Sequence, residues 1–342
     1  MLEDDRETIR VCIIGATGHT GYVLEGIKKD LSIRIAGIAR GSKGEEIKDF
    51  HNKLNKEFDY DIPLYDDYRE MLRVVKPDIA AIACYFGDHA RVTVEALERS
   101  INVFVEKPIA TTFEELEQIK NVYKKAGVNL AVMFGTRYYP WFYTAREKVL
   151  EGAVGMVRLL FAQKSYKLGS RGTHYQKRDT YGGTIPWVGS HAIDWLYWFS
   201  GEKFESVVAH HSKKYNRNHG ELEVTAVCQF KMTNEVYGMV SIDYLRPKTA
   251  LGHGDDRLRV VGTKGIIEVA NNKVFIINKD CQGLQELPVP SAGGQIFLDF
   301  VKQIRGRGSC LVSVEDAFYI TDSCLKARQS ADEQRIIYFN KD

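Results

Sequence analysis

The sequence predicts an α/β protein of two domains, an N-terminal doubly wound parallel sheet and a C-terminal α/β domain with a large open, mainly antiparallel sheet. Three observations carry this expectation. The first 135 residues alternate short apolar runs with amphipathic stretches at short connections, the pattern of strand–loop–helix units on a parallel sheet. From Val157 onward the chain shows long runs of alternating character instead, which suit hairpins with one buried face. With 342 residues the chain exceeds the usual size of one domain. The change of pattern places the boundary between residues 1–135 and 136–342.

Residues 9–14, Ile-Arg-Val-Cys-Ile-Ile, read as the first strand, and Gly15-Ala16-Thr17-Gly18-His19-Thr20-Gly21 follows directly before a helix over 22–29. Glycines at this spacing permit a tight turn, and the helix start offers N–H groups and a positive dipole end to a pyrophosphate. The turn therefore predicts a dinucleotide site of the Rossmann kind, with Gly-x-x-Gly-x-x-Gly in place of the commoner Gly-x-Gly-x-x-Gly. A second strand over 33–38 runs into Arg40, Ser42 and Lys43. An NAD site usually places an acidic residue there for the ribose hydroxyls. These basic and hydroxyl groups suit the 2′-phosphate of NADP as well, so both NADP and NAD stand as cofactors; a solvated basic loop is the bland alternative.

Further along, residues 67–75 read as helix, 79–84 as strand, and Tyr85 to His89 as a loop before a helix over 91–99. Cys84, Tyr85 and His89 thereby fall at the sheet edge where such folds bind ligands. Val103-Phe104-Val105 is a buried strand that ends in Glu106-Lys107-Pro108. Proline has no N–H and favours extended geometry before it, so Lys107 leaves the edge on a stiff backbone. Thr112-Phe113-Glu114-Glu115 reads as a capping box for a helix to Ala126, and 129–134 as the last strand of this half.

In the second half, strands are expected at 157–166, 204–211, 223–232, 236–245 and 257–269, with Asn271-Asn272 as a hairpin turn. Two late helices, 295–305 and 314–330, are expected to cover that sheet, the second capped by Ser313. Between them in character stands Tyr181-Gly-Gly-Thr-Ile-Pro-Trp-Val-Gly-Ser-His-Ala-Ile-Asp-Trp195, a glycine-rich approach to a buried helix. His191 and Asp194, three apart, share a helix face. A carboxylate beside an imidazole fixes its tautomer and raises its basicity, which suits proton transfer from a hydroxyl. Lys107, if dry and near a cationic ring, would act as an acid or base. Arg137 would bind a substrate carboxylate or phosphate, or pair with an acid inside the protein.

Charges of both signs are interleaved to a formal +2, so no nucleic-acid footprint is present, and no apolar run is long enough for a membrane span. The acidic start, Met1 to Arg6, is wrong for a secretory signal. Six cysteines show no metal or redox spacing; no metal is expected, and reduced core thiols suit the cytoplasm.

Gly15 to Gly21, Ile82 to His89, Glu106-Lys107-Pro108 and Gly182 to Asp194, in this order and spacing, resemble the glucose–fructose oxidoreductase, inositol dehydrogenase and rhizopine-catabolism family, Gfo/Idh/MocA. Leu258 to Gly265 resembles that family's strand and turn in the second domain. The resemblance implies hydride exchange between nicotinamide and a sugar or polyol, with Lys107 orienting the substrate oxygen and His191 moving its proton. It also implies an oligomer through the open sheet, a homodimer or homotetramer. Trp187 stands where the family usually has aspartate, four residues before the histidine, and is read as a sugar-stacking ring. Cys84-Tyr85-Phe86 stands where Thr-Pro-Asn is common. Two other classes remain: a cofactor-bound sensor or scaffold without turnover, and a semialdehyde-dehydrogenase type of enzyme using Cys84 as nucleophile.

Overall fold

A six-stranded parallel sheet forms the core of the first of two compact units in the computed structural model, which describes residues 8–290 and 294–339. Its strands are β1 (Ile9–Ile14), β2 (Ile33–Ala39), β3 (Leu64–Tyr65), β4 (Ile79–Ile82), β5 (Asn102–Val105) and β6 (Leu130–Val132), in the order β3-β2-β1-β4-β5-β6. The strand order reverses beside β1, and that switch point opens the crevice in which doubly wound sheets bind ligands. Helices α1 (Gly21–Lys29), α2 (Lys48–Phe58), α3 (Tyr68–Val75), α4 (His89–Glu98) and α5 (Phe113–Ala126) connect the strands. The capping box is present: Thr112 Oγ1 accepts Glu115 N–H at 3.2 Å while Glu115 Oε2 accepts Thr112 N–H at 3.1 Å.

The second unit contains α6 (Pro140–Leu150), β7 (Val157–Tyr166), α7 (Arg178–Tyr181), α8 (Ser190–Ser200), β8 (Phe204–Ser212), β9 (Thr225–Met232), β10 (Val236–Asp243), β11 (Gly254–Gly262), β12 (Gly265–Ala270), β13 (Lys273–Asn278) and β14 (Gln285–Leu287). With β15 (Ile337–Tyr338) they form one nine-stranded sheet, ordered β14-β13-β12-β11-β7-β10-β9-β8-β15. Every neighbouring pair is antiparallel except β7–β10. Asn271 and Asn272 take φ of 52° and 61°, the double positive φ of a type I′ hairpin.

Two expectations change. Residues 257–269 are not one strand but the hairpin of β11 and β12, because Thr263 and Lys264 turn there and Thr263 N–H donates to Met156 O at 3.0 Å. Helix α9 (Ile296–Ile304) does not cover the second sheet. The segment 294–318 belongs to the first unit, where Phe297 and Phe300 pack on Phe104 of β5 at ring distances of 5.2 and 5.5 Å. Burying each phenyl group stabilises by roughly 1.5–3 kcal/mol, which local pattern cannot assign to one sheet or the other. Helix α10 (Val314–Glu333) follows, its start capped by Ser313 Oγ, which accepts Asp316 N–H at 3.0 Å. The segment Met1 to Arg6 lies outside the described residues.

Candidate active site

The glycine turn is held against the end of β4. Gly15 has φ of +90°, and a Cβ there would stand 2.5 Å from the Cys84 main chain; Gly18 has φ of +85° and would bring a Cβ to 3.0 Å from Glu106 Cγ. Gly15 thus requires glycine for conformation and for space, and Gly18 for its positive φ. Thr17 N–H donates to Ala83 O, and Thr20 begins α1 without a side-chain cap bond. No acidic residue sits in the first turn of α1, so its N-terminal N–H groups and positive dipole end suit a pyrophosphate. The residues present therefore fit a dinucleotide.

Other members of this set serve as braces. Glu106 is buried at the end of β5; its carboxylate accepts His19 N–H at 3.1 Å and contacts the His19 imidazole at 2.9 Å, with Lys107 Nζ at 3.8 Å. Burial pushes this carboxyl up, but the His19, Lys107 and His89 side chains pull it down further, to a net position below its ordinary value. His89 is fully buried, with Nδ1 2.8 Å from Pro108 O and Nε2 3.1 Å from Cys84 O. It ties two loops together, and burial holds its pKa low. In this structure both His89 ring nitrogens face main-chain carbonyls. Lys107 itself is 3% exposed and precedes a cis proline.

Cys84 is buried beneath Gly15 and Gly41, and desolvation, with Glu45 and Asp88 nearby, pushes its thiol well above the ordinary range. A protonated, covered thiol is no nucleophile, so the semialdehyde-dehydrogenase reading fails. Around the 2′-phosphate candidates the structure is equally specific. Ser42 is buried and its Oγ accepts Tyr85 N–H at 3.0 Å; Tyr85 OH reaches Gly44 O at 3.4 Å; Arg40 lies 3.4 Å from the exposed Asp66; Lys43 is exposed.

In the second unit His191 opens α8 and is 4% exposed. Its Nδ1 faces Thr136 Oγ1 at 3.4 Å, and that oxygen also accepts Trp195 Nε1–H at 3.1 Å. Asp194, one turn on, is claimed by Arg137, whose Nε lies 3.1 and 3.0 Å from the two carboxylate oxygens and whose Nη2 lies 2.6 Å from Oδ1. Both partners are buried, and Arg137 stacks on Trp198 at 5.3 Å. Arg137 and Asp194 thus form an internal clamp on α8, the acid-pairing alternative expected for Arg137. Trp187 is 8% exposed and enclosed by Tyr175, Tyr244 and the Arg171 guanidinium at 4.4, 5.8 and 5.2 Å. Those neighbours occupy its faces, against the sugar-stacking reading. The loop 181–189 is held by the buried Glu223, which takes hydrogen bonds from Tyr181 OH, Arg178 and Thr184 N–H.

Sequence reasoning missed Thr136, Glu223, Glu45 and the pairing of the buried Lys164 with the partly exposed Asp256 at 2.6 Å. Only the last carried a readable signal, since Lys164 interrupts an apolar strand face. Among the described residues no His, Cys, Asp or Glu cluster could hold a metal, and no helix is long and apolar enough to cross a membrane.

Residues 9–134 match the NAD-binding Rossmann domain of the Gfo/Idh/MocA oxidoreductases, and residues 142–268 match the C-terminal domain of the same family. The chain belongs to the Gfo/Idh/MocA family. Its first unit is an NAD-binding Rossmann domain. The chain is similar to a putative oxidoreductase of Thermotoga maritima, with 50% identity, coverage of 97% and 100% of the two chains, and a TM-score of 0.93. It is also similar to the uncharacterised oxidoreductase YrbE of Bacillus subtilis, 29% identical over 76% of this chain and 73% of that protein. The D-glucoside 3-dehydrogenase of Escherichia coli is 27% identical over 60% and 58%.

Proposed function

We propose that this Gfo/Idh/MocA protein is an NAD(P)-dependent dehydrogenase acting on a CH–OH group of a sugar, cyclitol or related polyol. The cofactor supplies the hydride acceptor. Lys107 orients the substrate oxygen and His191 moves its proton. The observation that carries this reading is the buried His191 held on Thr136 in a chain whose other unit is an NAD-binding domain. Thr136 Oγ1 takes Trp195 N–H and lies 3.4 Å from His191 Nδ1; the tautomer with Nδ1–H donating to that oxygen would make Nε2 the proton acceptor. The likeness to a glucoside dehydrogenase supports a sugar.

The test is a sugar and polyol screen with NADH/NAD and NADPH/NADP, followed by His191→Ala on the best substrate. A positioned base is worth about 10² to 10⁴ in rate, so kcat should fall by that factor with cofactor affinity unchanged. Undiminished turnover in the variant would remove His191 from its role. The enclosure of Trp187, at the family's aspartate position, favours a second reading: a cofactor-bound sensor or scaffold. Tight nucleotide binding with no turnover across the screen would select it. The second sheet exposes Phe161, Val227, Tyr237 and Met239, which suits a homodimer or homotetramer, and sedimentation in solution by analytical ultracentrifugation reads the state directly.

A further inference from the structure

Glu45 lies in the loop after β2, is 4% exposed, and among the described residues has no cationic partner. Its Oε1 accepts Ala16 N–H at 3.0 Å and the Thr17 hydroxyl at 3.2 Å; its Oε2 accepts Gly41 N–H at 3.1 Å and Ser42 N–H at 3.3 Å. Four donors from two segments, the glycine turn and the loop after β2, therefore converge on one carboxylate. Convergent main-chain N–H groups of this kind make an anion site. Here the protein fills that site with its own side chain.

The place matters because a Rossmann domain holds the adenosine ribose at the end of its second strand, where the 2′ substituent separates NAD from NADP. A 2′-phosphate needs free donors and positive charge. The N–H groups of Gly41 and Ser42 are consumed by Glu45, the Ser42 hydroxyl is buried on Tyr85 N–H, and Arg40 has Asp66 at 3.4 Å. Lys43 is exposed, and a buried negative charge stands in the same loop.

We infer that Glu45 makes this domain prefer NAD(H) to NADP(H), by filling the main-chain anion site a 2′-phosphate would use and by holding a negative charge beside it. The inference rests on the dinucleotide reading of the first unit and reverses the expectation drawn from Arg40, Ser42 and Lys43. It assigns cofactor choice to a residue outside the strand end where the acidic ribose ligand is normally sought.

The experiment is fluorescence titration of the full chain with NADH and NADPH, with competition by 5′-AMP and by adenosine 2′,5′-bisphosphate. The wild type should bind NADH at least tenfold more tightly, about 1.4 kcal/mol, and 5′-AMP should compete better than the bisphosphate. Glu45→Ala frees the donors and removes the charge, so the NADH/NADPH preference should fall by tenfold or more, chiefly through tighter NADPH binding. If circular dichroism shows Glu45→Ala misfolded, Glu45→Gln removes the charge at nearly constant size and should move the preference in the same direction. Equal binding of the two nucleotides by the wild type, or an unchanged preference in a folded variant, overturns the role of Glu45 alone. Binding of neither nucleotide overturns both this inference and the cofactor reading beneath it.

Discussion

Replacing Asp194 by alanine tests whether α8 is clamped as the structure shows. Arg137 is 2% exposed and Asp194 0%, and their guanidinium–carboxylate contact is two-pronged, at 2.6 to 3.1 Å. Removing the carboxylate takes the two-pronged partner away from a buried cation. Positive charge is already crowded there: burial and Arg137 together hold the Arg146 guanidinium below its ordinary pKa. Breaking a buried pair from one side costs about 3–5 kcal/mol. At about 2–4 °C per kcal/mol for a domain of this size, the melting temperature should drop by roughly 6–20 °C. Because Arg137 follows Thr136, the partner of His191, turnover should fall as well. The assay is urea and thermal unfolding by circular dichroism, with the double variant Arg137→Met/Asp194→Leu as its control. Apolar replacement of both partners is often neutral, so the double variant should recover most of the lost stability. A loss below about 1 kcal/mol in Asp194→Ala, or a double variant as unstable as the sum of the singles, would refute the clamp.

Glu106 sets a second expectation, on the acid side. Its folded pKa lies below the ordinary 4.5, so its contribution to stability is complete at neutral pH and is lost as pH falls through that range toward the folded value. Glu106→Gln should flatten the acid limb of a plot of melting temperature against pH below the ordinary glutamate value of 4.5; an identical limb in both proteins would contradict the assignment. Cysteine labelling gives a third. Cys84 is buried with its thiol protonated, and Cys12 and Cys228 are buried with theirs pushed up to about 12, so iodoacetamide at pH 7.5 should modify the partly exposed Cys281 first and leave Cys84 untouched until the chain unfolds. Fast native labelling of Cys84, read by peptide mass spectrometry, would reopen the nucleophile reading.

Much of this molecule was legible in its sequence because the determining interactions are local. The glycine turn, the Thr112 capping box, the Asn271-Asn272 hairpin and the strand ending in Glu106-Lys107-Pro108 each depend on φ preferences or hydrogen bonds within a few residues, and the joint spacing of those motifs with Gly182 to Asp194 sufficed for the family. Tertiary structure alone decided partnership. Asp194 reads as a companion of His191 because they are three apart on a helix, yet its carboxylate binds Arg137, 57 positions away, since a buried guanidinium must find a charge wherever the fold provides one. Nothing local marks Glu45 until the chain brings Ala16 and Thr17 against it. The segment 294–318 joins the first unit because Phe297 and Phe300 meet Phe104 there, and apolar burial carries no label in sequence for the surface it will cover.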